Sequence, residues 1–322
     1  MINKIKESYL AELEAIKENM DQAFHLIEVN EELEGILGGI SHNPGKMIRP
    51  LLMLLVAGEC KGDEKKELLA TAACMEMIHN SSLVLDDMLD KAALRRGEPT
   101  VSAKFGDPVA LCVGEYILAA SYRYLQGLGY HESALEVVDI TQRACNGEMV
   151  QNMNRGNVSV TIDAYLEAIR GKTAALFSVI CESACRITHR DAKVKEKMAR
   201  LGEMIGIVFQ LRDDLLDWTA AEDNIGKPVN KDFSEGIYTL PAIHAFKSPD
   251  IGRKLRTIAK KDRLQPGDLT EARKLIHESG GIEFTIKYIK EETNKARQLL
   301  EWLPDQANRQ AMEEIISVLQ NV

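Results

Sequence analysis

Two acidic pentapeptides, Asp86-Asp87-Met88-Leu89-Asp90 and Asp213-Asp214-Leu215-Leu216-Asp217, repeat one pattern in this chain. On a helix, positions i, i+1 and i+4 fall within roughly 100° of arc, so each motif brings three carboxylates to one face. Like charges at that spacing destabilise a helix, and an apolar setting raises the penalty. The first motif follows Ser82-Leu83-Val84-Leu85 and the second follows Ile207-Val208-Phe209-Gln210-Leu211, so both lie at the polar edge of apolar helices. One such motif alone reads as a solvated helix face. Two in matching contexts imply bound cations. Hard oxygen ligands suit Mg²⁺, which keeps several waters and bridges one or two carboxylates to a substrate phosphate.

Basic residues are placed to meet such a polyanion. Arg95 and Arg96 follow Asp90 on a stretch that continues Gly97-Glu98-Pro99, and guanidinium forks match phosphate oxygens. Gly45-Lys46 and Arg49 form a second basic cluster at a turn leading into a helix, where backbone N–H groups also favour anions. Lys172-Thr173 and Gly226-Lys227 add lysines in apolar or turn contexts. His79 lies three residues after Glu76, a spacing that di-iron bundles also use, but no other histidine has a glutamate three residues before it. A phosphate hydrogen-bond donor is the better reading for His79, with a satisfied core histidine as the alternative. No Ser-His or Cys-His nucleophile is evident.

The elements that must carry these residues read as helices. Apolar residues make up 45% of the 322 and aromatics only 5%, with Leu, Ile, Ala and Met prominent. No proline occurs between Pro108 and Pro228. Spacing of the i, i+3, i+4 kind recurs along the chain and no strand-like alternation competes with it, so the expected class is all-α. Breaks are expected at Ser41–Lys46, with a helix from about Arg49-Pro50 to Gly58, at Arg95–Thr100, and across 220–238, which reads as a lid loop. A further helix is expected to begin at Asp268-Leu269-Thr270-Glu271, as a capping box, and to stop at Gly280-Gly281. One large helical domain over 1–322 is the simplest account.

A net charge of −9 without a basic block argues against a nucleic-acid partner. The charged amphipathic start lacks a signal-peptide core, and no window approaches the roughly eighteen uninterrupted apolar residues of a membrane span, so cytosol is the default expectation. The six cysteines include no CxxC pair and are expected to be mostly buried free thiols.

With these pieces in order, the chain resembles the all-trans isoprenyl diphosphate synthases, the head-to-tail prenyltransferases. The resemblance spans about residues 40–245, with C-terminal helices over 246–322. It rests on Gly45-Lys46-x-x-Arg49-Pro50, His79, the first acidic motif with Arg95-Arg96-Gly97, Gly147-Glu148-x-x-Gln151, Lys172-Thr173 and Phe209-Gln210-x-x-Asp213-Asp214-x-x-Asp217. Gly226-Lys227, Asp232, Gly236 and Thr239-Leu240-Pro241 continue it. The resemblance implies a helical bundle around a deep central cavity, a homodimer, and two aspartate motifs facing each other across the mouth. By similarity, Asp86, Asp87, Asp90, Asp213, Asp214 and Asp217 hold Mg²⁺, about three ions per active site, against the diphosphate of an allylic substrate. Arg95, Lys172, Gln210 and Lys227 contact that diphosphate, with Thr173 beside them. Gly45, Lys46, Arg49, His79 and Arg96 look like the site for isopentenyl diphosphate. The same similarity makes Asp86, Asp87, Asp90, Asp213, Lys172 and Lys227 the catalytic set. Departures from the family pattern are Met47 after Gly-Lys, Leu85 before the first Asp pair and Glu115 in Gly114-Glu115-Tyr116. None removes a metal or phosphate ligand.

Product length is read upstream of Asp86, where Ser82, Ser81 and Ile78 lie four, five and eight residues earlier. In the family, large side chains at the first two positions floor the product cavity. Serines leave it open, so the expected product is longer than about fifteen carbons, geranylgeranyl or medium to long polyprenyl diphosphate, with Tyr122, Tyr124 or the opposing subunit as a lower cap; one helical turn is about 5.4 Å. The product is expected to be delivered to a membrane. Three alternatives are a class I terpene cyclase, a non-catalytic or partner-dependent subunit of a heteromeric synthase, and a ferritin-like metal protein. Two intact DDxxD motifs disfavour the first two, and the single ExxH disfavours the last.

Overall fold

Apolar residues at helical spacing fold as helices throughout the computed structural model of the chain, which describes residues 2–42, 45–219, 230–261 and 263–321. In order, α1 (Ile2–Glu7), α2 (Leu10–Phe24), α3 (Glu31–His42), α4 (Ile48–Ala57) and α5 (Gly62–Leu89) precede a hairpin of β1 (Leu94–Arg95) and β2 (Glu98–Pro99). Next come α6 (Val101–Phe105), α7 (Asp107–Gly127), α8 (His131–Met153) and α9 (Ile162–Ile169). A π-helical turn, Arg170–Ala174, joins α9 to α10 (Ala175–Ile187), and α11 (Ala192–Thr219) follows. After 220–229 come α12 (Lys231–Ser234), α13 (Leu240–Phe246), α14 (Pro249–Ala259), α15 (Pro266–Glu278), α16 (Gly281–Gln298), a 3₁₀ turn (Leu300–Trp302) and α17 (Gln306–Gln320). The expected all-α class holds.

Two compact units divide the chain. The first comprises Met1–Thr141, Val179–Ala199 and Trp302–Met312. Its spine is α5, which packs on α7, α2 and α4. The most apolar stretch of α5 is long and apolar enough to cross a bilayer, but 72% of it is buried within the protein, as befits a core helix. A tight contact sets the α5–α7 distance: a Cβ at Gly114 would overlap the Leu85 side chain. Residues Pro50–Ala57 of α4 are all buried. A polar network braces α5, α8 and α10. Thr71 donates to Ser133 Oγ (2.9 Å), Ser133 donates to Glu67 (2.9 Å), and Arg186 spans Glu67 (3.0 Å) and Glu136 (2.8 Å).

The second unit comprises Gln142–Ser178, Arg200–Glu301 and Glu313–Val322. Glycines set its closest approaches. A Cβ at Gly147 of α8 would collide with the backbone of Gly171-Lys172, and one at Gly206 of α11 would collide with Ala174. The π turn is therefore clasped between two glycine faces. An aromatic row, Trp218, Phe233, Tyr238 and Phe246, has ring centroids 5.6, 5.3 and 5.1 Å apart and locks α11, α12 and α13 together. The Trp218 indole donates to Thr239 Oγ1 (3.2 Å), which accounts for the threonine of Thr239-Leu240-Pro241 at the start of α13.

Three expectations are corrected. The break at Arg95–Thr100 contains the β hairpin rather than a plain loop. The capping box of α15 is formed by Gln265 and Asp268, because Pro266 occupies the first helical turn and places Asp268 inside the helix. Cys74, Cys181 and Cys185 are buried, whereas Cys112 and Cys145 are exposed on helix faces. Asn43-Pro44 in the first break and residues 220–229 of the expected lid lie outside the described residues.

Candidate active site

The first acidic motif closes α5, with Asp86 and Asp87 in its last turn and Asp90 as its C-cap, donating its N–H to Asp86 O (2.8 Å). Asp87 is 6% exposed, and Asp90 is exposed. What holds Asp87 is the hairpin. Arg95 pairs with Glu98, so Arg96 and Gly97 form a two-residue turn with φ of 53° and 85° at both positions, the handedness that matches strand twist. That turn sends Arg95 back onto the helix, where its Nε and Nη2 donate to Asp87 Oδ2 (2.5 Å) and Oδ1 (2.8 Å). Such forked pairs are among the strongest hydrogen bonds between side chains. Thr100 fastens the hairpin by donating to Ala92 O (2.7 Å).

Arg96 reaches the other way. It lies across Gly45, where a Cβ would fall on its guanidinium, and Gly45 has φ of +92°, so glycine is required on both counts. Met47 caps α4 in the left-handed region and delivers Arg49 into the first turn. Arg49, Arg95 and Arg96 all press on His79. Burial, and then these three charges, hold its imidazole well below the usual histidine range, so His79 is neutral with one ring N–H to donate. Beneath them Glu76 is 2% exposed, and its Oε2 has no hydrogen-bond partner among the described residues. Burial pushes the Glu76 carboxyl up to about 7, although Arg49, Arg96 and Lys6 pull it down. The structure thus brings Gly45, Arg49, Arg96 and His79 together, with the exposed Lys46 next to Gly45.

Ser81 and Ile78, 1% and 5% exposed, are buried in the same unit. The Ser81 hydroxyl donates to Gly114 O of α7 (2.9 Å), and Ser82 donates to His79 O (2.8 Å). Tyr124 is buried with its hydroxyl against Asn19 (2.8 Å) and Gln22 (2.9 Å) of α2, whereas Tyr122 is 39% exposed.

In the second unit the acidic motif sits near the end of α11. Asp213 is exposed, and Asp214 is 4% exposed with both oxygens engaged. Tyr165 donates to its Oδ2 (2.5 Å) and Gln210 to its Oδ1 (2.7 Å), while Thr173 donates to Gln210 Oε1 (2.8 Å). Burial pushes Asp214 up to about 7; the bonds from Tyr165 and Gln210 oppose this and the charges of Asp213 and Asp217 add to it. Asp217 accepts from the backbone N–H of Lys231 (3.3 Å) at the start of α12. Burial holds Asp232 well above the carboxylate range, reinforced by Asp214, Asp217 and Asp213. Lys172, on the π turn, pairs with Glu148 of α8 at 2.6 Å. Irregular helical turns of this kind recur at functional sites. Lys227 and Gly226 lie outside the described residues. Tyr165 and the Glu148 partner of Lys172 carried no functional signal of their own beyond the Gly147-Glu148-x-x-Gln151 motif and an apolar helix.

Among the described residues, no three histidine, cysteine or carboxylate side chains close on one metal position. In the first unit Asp86 is half-exposed and Asp90 exposed, and in the second unit Asp213 is exposed. Carboxylates of this kind, each considered in its own unit, fit Mg²⁺, whose remaining ligands are water and phosphate oxygens, and do not suit a caged structural metal.

Comparison with known proteins agrees with this chemistry. The Polyprenyl synthetase family profile matches residues 30–276. The all-trans-nonaprenyl-diphosphate synthase (geranyl-diphosphate specific) of Rhodobacter capsulatus is 33% identical over 274 residues, 83% of this chain and 82% of that one. Heptaprenyl diphosphate synthase component 2 of Bacillus subtilis (strain 168) is 32% identical over 274 residues, 84% of this chain and 77% of its own. The crystal structure of a decaprenyl diphosphate synthase from Rhodobacter capsulatus superposes with a TM-score of 0.90 at 28% identity, covering 99% of this chain and 98% of that one. From its motifs, its helices and these relatives, the chain belongs to the polyprenyl synthetase family.

Proposed function

We propose that the chain is a head-to-tail trans-prenyltransferase that condenses isopentenyl diphosphate with an allylic diphosphate and makes a polyprenyl diphosphate longer than about fifteen carbons; one turn of α5 spans about 5.4 Å, close to one isoprene unit. The observation that carries this reading is the retention of both complete aspartate triads together with the Arg49, Arg96 and His79 cluster over Gly45. A subunit without catalysis has no need of either.

Asp86, Asp90 and Asp213 are the proposed ligands of Mg²⁺, with Asp87, Asp214 and Asp217 held by protein donors behind them. Bound Mg²⁺ would supply charge neutralisation of the allylic diphosphate as its C–O bond breaks. Arg95, Lys172 and Gln210 bind and orient that diphosphate, and Lys227 joins them. Their attraction grows as negative charge gathers on the leaving oxygen, which favours the transition state over the ground state. Lys46, Arg49, Arg96 and the neutral His79 hold isopentenyl diphosphate. Its double bond forms the new C–C bond with the allylic carbon, and the proton released passes to the departing pyrophosphate. No protein nucleophile takes part.

A homodimer working in the cytoplasm, with its product passed to a membrane, completes the proposal. A partner-dependent enzyme is the second reading, favoured by the likeness to a synthase component. The purified chain incubated with Mg²⁺, labelled isopentenyl diphosphate and each of several allylic primers tests both. Long-chain product is expected, and Asp86→Ala and Asp213→Ala should each lower turnover by about a hundredfold or more. Near-normal turnover in either variant overturns the mechanism; an inactive wild-type chain favours the partner-dependent reading.

A further inference from the structure

Two consecutive residues of α8 hold Lys172 at both of its ends. At its root, Gly147 lies so close that a Cβ there would collide with the Lys172 backbone nitrogen and with Ala168 O. At its tip, the ammonium pairs with Glu148 Oε2 at 2.6 Å, and the two side chains are only 28% and 25% exposed. Glu148 is fixed in turn. Asn152, one helical turn further on, donates its Nδ2 to Glu148 Oε1 (2.7 Å) and to Glu148 O (3.0 Å). All of these residues belong to the second unit.

The same π turn carries the next link. Thr173 donates to Gln210 Oε1 (2.8 Å), and Gln210 donates to Asp214 Oδ1 (2.7 Å) in the second acidic motif. One irregular turn thus presents a lysine braced on α8 beside a threonine braced on α11. A lysine ammonium is a point charge on a flexible four-carbon stem, with three donors to place. The carboxylate of Glu148 occupies one direction and leaves the others open to a second anion. An exposed ion pair would fix such a stem only weakly, but this one is largely buried and backed by Asn152. Stabilisation of a growing negative charge is greatest when the donor is oriented before that charge appears.

We infer that Glu148 is a positioning residue, which holds the Lys172 ammonium ready for the departing diphosphate of the allylic substrate and acts on the reaction only through Lys172. This rests on the condensation proposed above, in which Lys172 binds that diphosphate. The diphosphate of isopentenyl diphosphate is assigned to other residues, which makes the effect selective.

The test is a double-mutant cycle of Glu148→Gln and Lys172→Met, with Glu148→Asp beside it, in steady-state assays that vary each substrate in turn. Glutamine keeps the shape of Glu148 and its bond from Asn152 but removes the charge, and kcat is expected to fall about tenfold. KM for isopentenyl diphosphate should stay within about twofold. Glu148→Asp, which keeps the charge, should recover part of the loss. Lys172→Met alone should lower kcat further, and adding Glu148→Gln to it should cause no additional loss, whereas a merely structural carboxylate lowers kcat by the same factor in both backgrounds. Calorimetric titration of inorganic pyrophosphate with Mg²⁺ repeats the cycle without turnover: binding should weaken about threefold in Glu148→Gln and no further in the double variant. That cycle decides if the wild-type chain binds pyrophosphate but makes no product alone; a wild-type chain that does neither refutes the condensation and this assignment with it. Wild-type kcat and pyrophosphate affinity in Glu148→Gln, independent losses in the double variant, or tighter pyrophosphate binding in Glu148→Gln, which would make Glu148 a competitor for Lys172, overturns the assignment alone.

Discussion

Replacing Glu76 with glutamine should make the protein more stable above neutral pH, although Glu76 sits among Arg49, Arg96 and Lys6. Its carboxyl is raised from 4.5 to about 7, with burial outweighing the three cations. As pH rises, the unfolded chain releases this proton first, so between 4.5 and about 7 the folded state binds more protons than the unfolded state. Stability from this group is fully present below 4.5 and is lost as pH passes about 7. The shift corresponds to about 3 kcal/mol. Glutamine copies the protonated form at every pH. Urea unfolding followed by circular dichroism should therefore give similar stabilities for wild type and Glu76→Gln near pH 4.5, and a gap of about 3 kcal/mol in favour of the variant near pH 8. Asp214, Asp217 and Asp232 are raised in both proteins and cancel in the difference. Parallel stability curves for the two proteins would refute the reasoning, as would a variant less stable than wild type at pH 8.

Three further substitutions probe single contacts. Ser81→Phe should shorten the product, seen by thin-layer sizing, because the new ring must occupy buried space where Ser81 now bonds Gly114 O; unchanged chain lengths with retained activity would remove α5 from the control of length. Tyr165→Phe leaves an oxygen of the buried Asp214 without its donor and should destabilise the protein by about 1–3 kcal/mol in the same urea assay while lowering turnover; unchanged stability would show that the contact contributes little. Gly147→Ala drives a methyl group into the backbone of Lys172 and should lower turnover at least about tenfold with a stability loss of about 1–3 kcal/mol, and wild-type kinetics would contradict the close packing.

Fold class was legible because periodicity and the long interval without proline are properties of the chain itself. The helix start at α15 was misplaced by the pull of Asp268, when Pro266 two residues earlier was the stronger signal. The hairpin escaped because strands of two residues show no alternation, although Arg96-Gly97 is an X-Gly pair of the kind that accepts two positive φ angles. The π turn, Arg170–Ala174, lies in the interval without proline, and Gly171 is the mark it leaves in the sequence.

At the site, spacing revealed where the chemistry lies but not how identical carboxylates divide the work. Asp87 and Asp214 occupy the same place in their two motifs, and each is buried with both oxygens taken by protein donors: Arg95 from a hairpin eight residues on, and Tyr165 and Gln210, the former 49 residues back. Asp90 and Asp213 remain exposed. The donor of the first pair is charged, while those of the second are neutral, and burial drives Asp214 up to about 7. A repeat in the sequence is therefore not a repeat in hydrogen bonding, because the donors to each buried aspartate lie outside the repeated pattern. Arg95 on one side, and Tyr165 and Gln210 on the other, separate the two motifs, so exchanging the motif residues alone between the two helices would leave those partners, and the asymmetry they impose, in place.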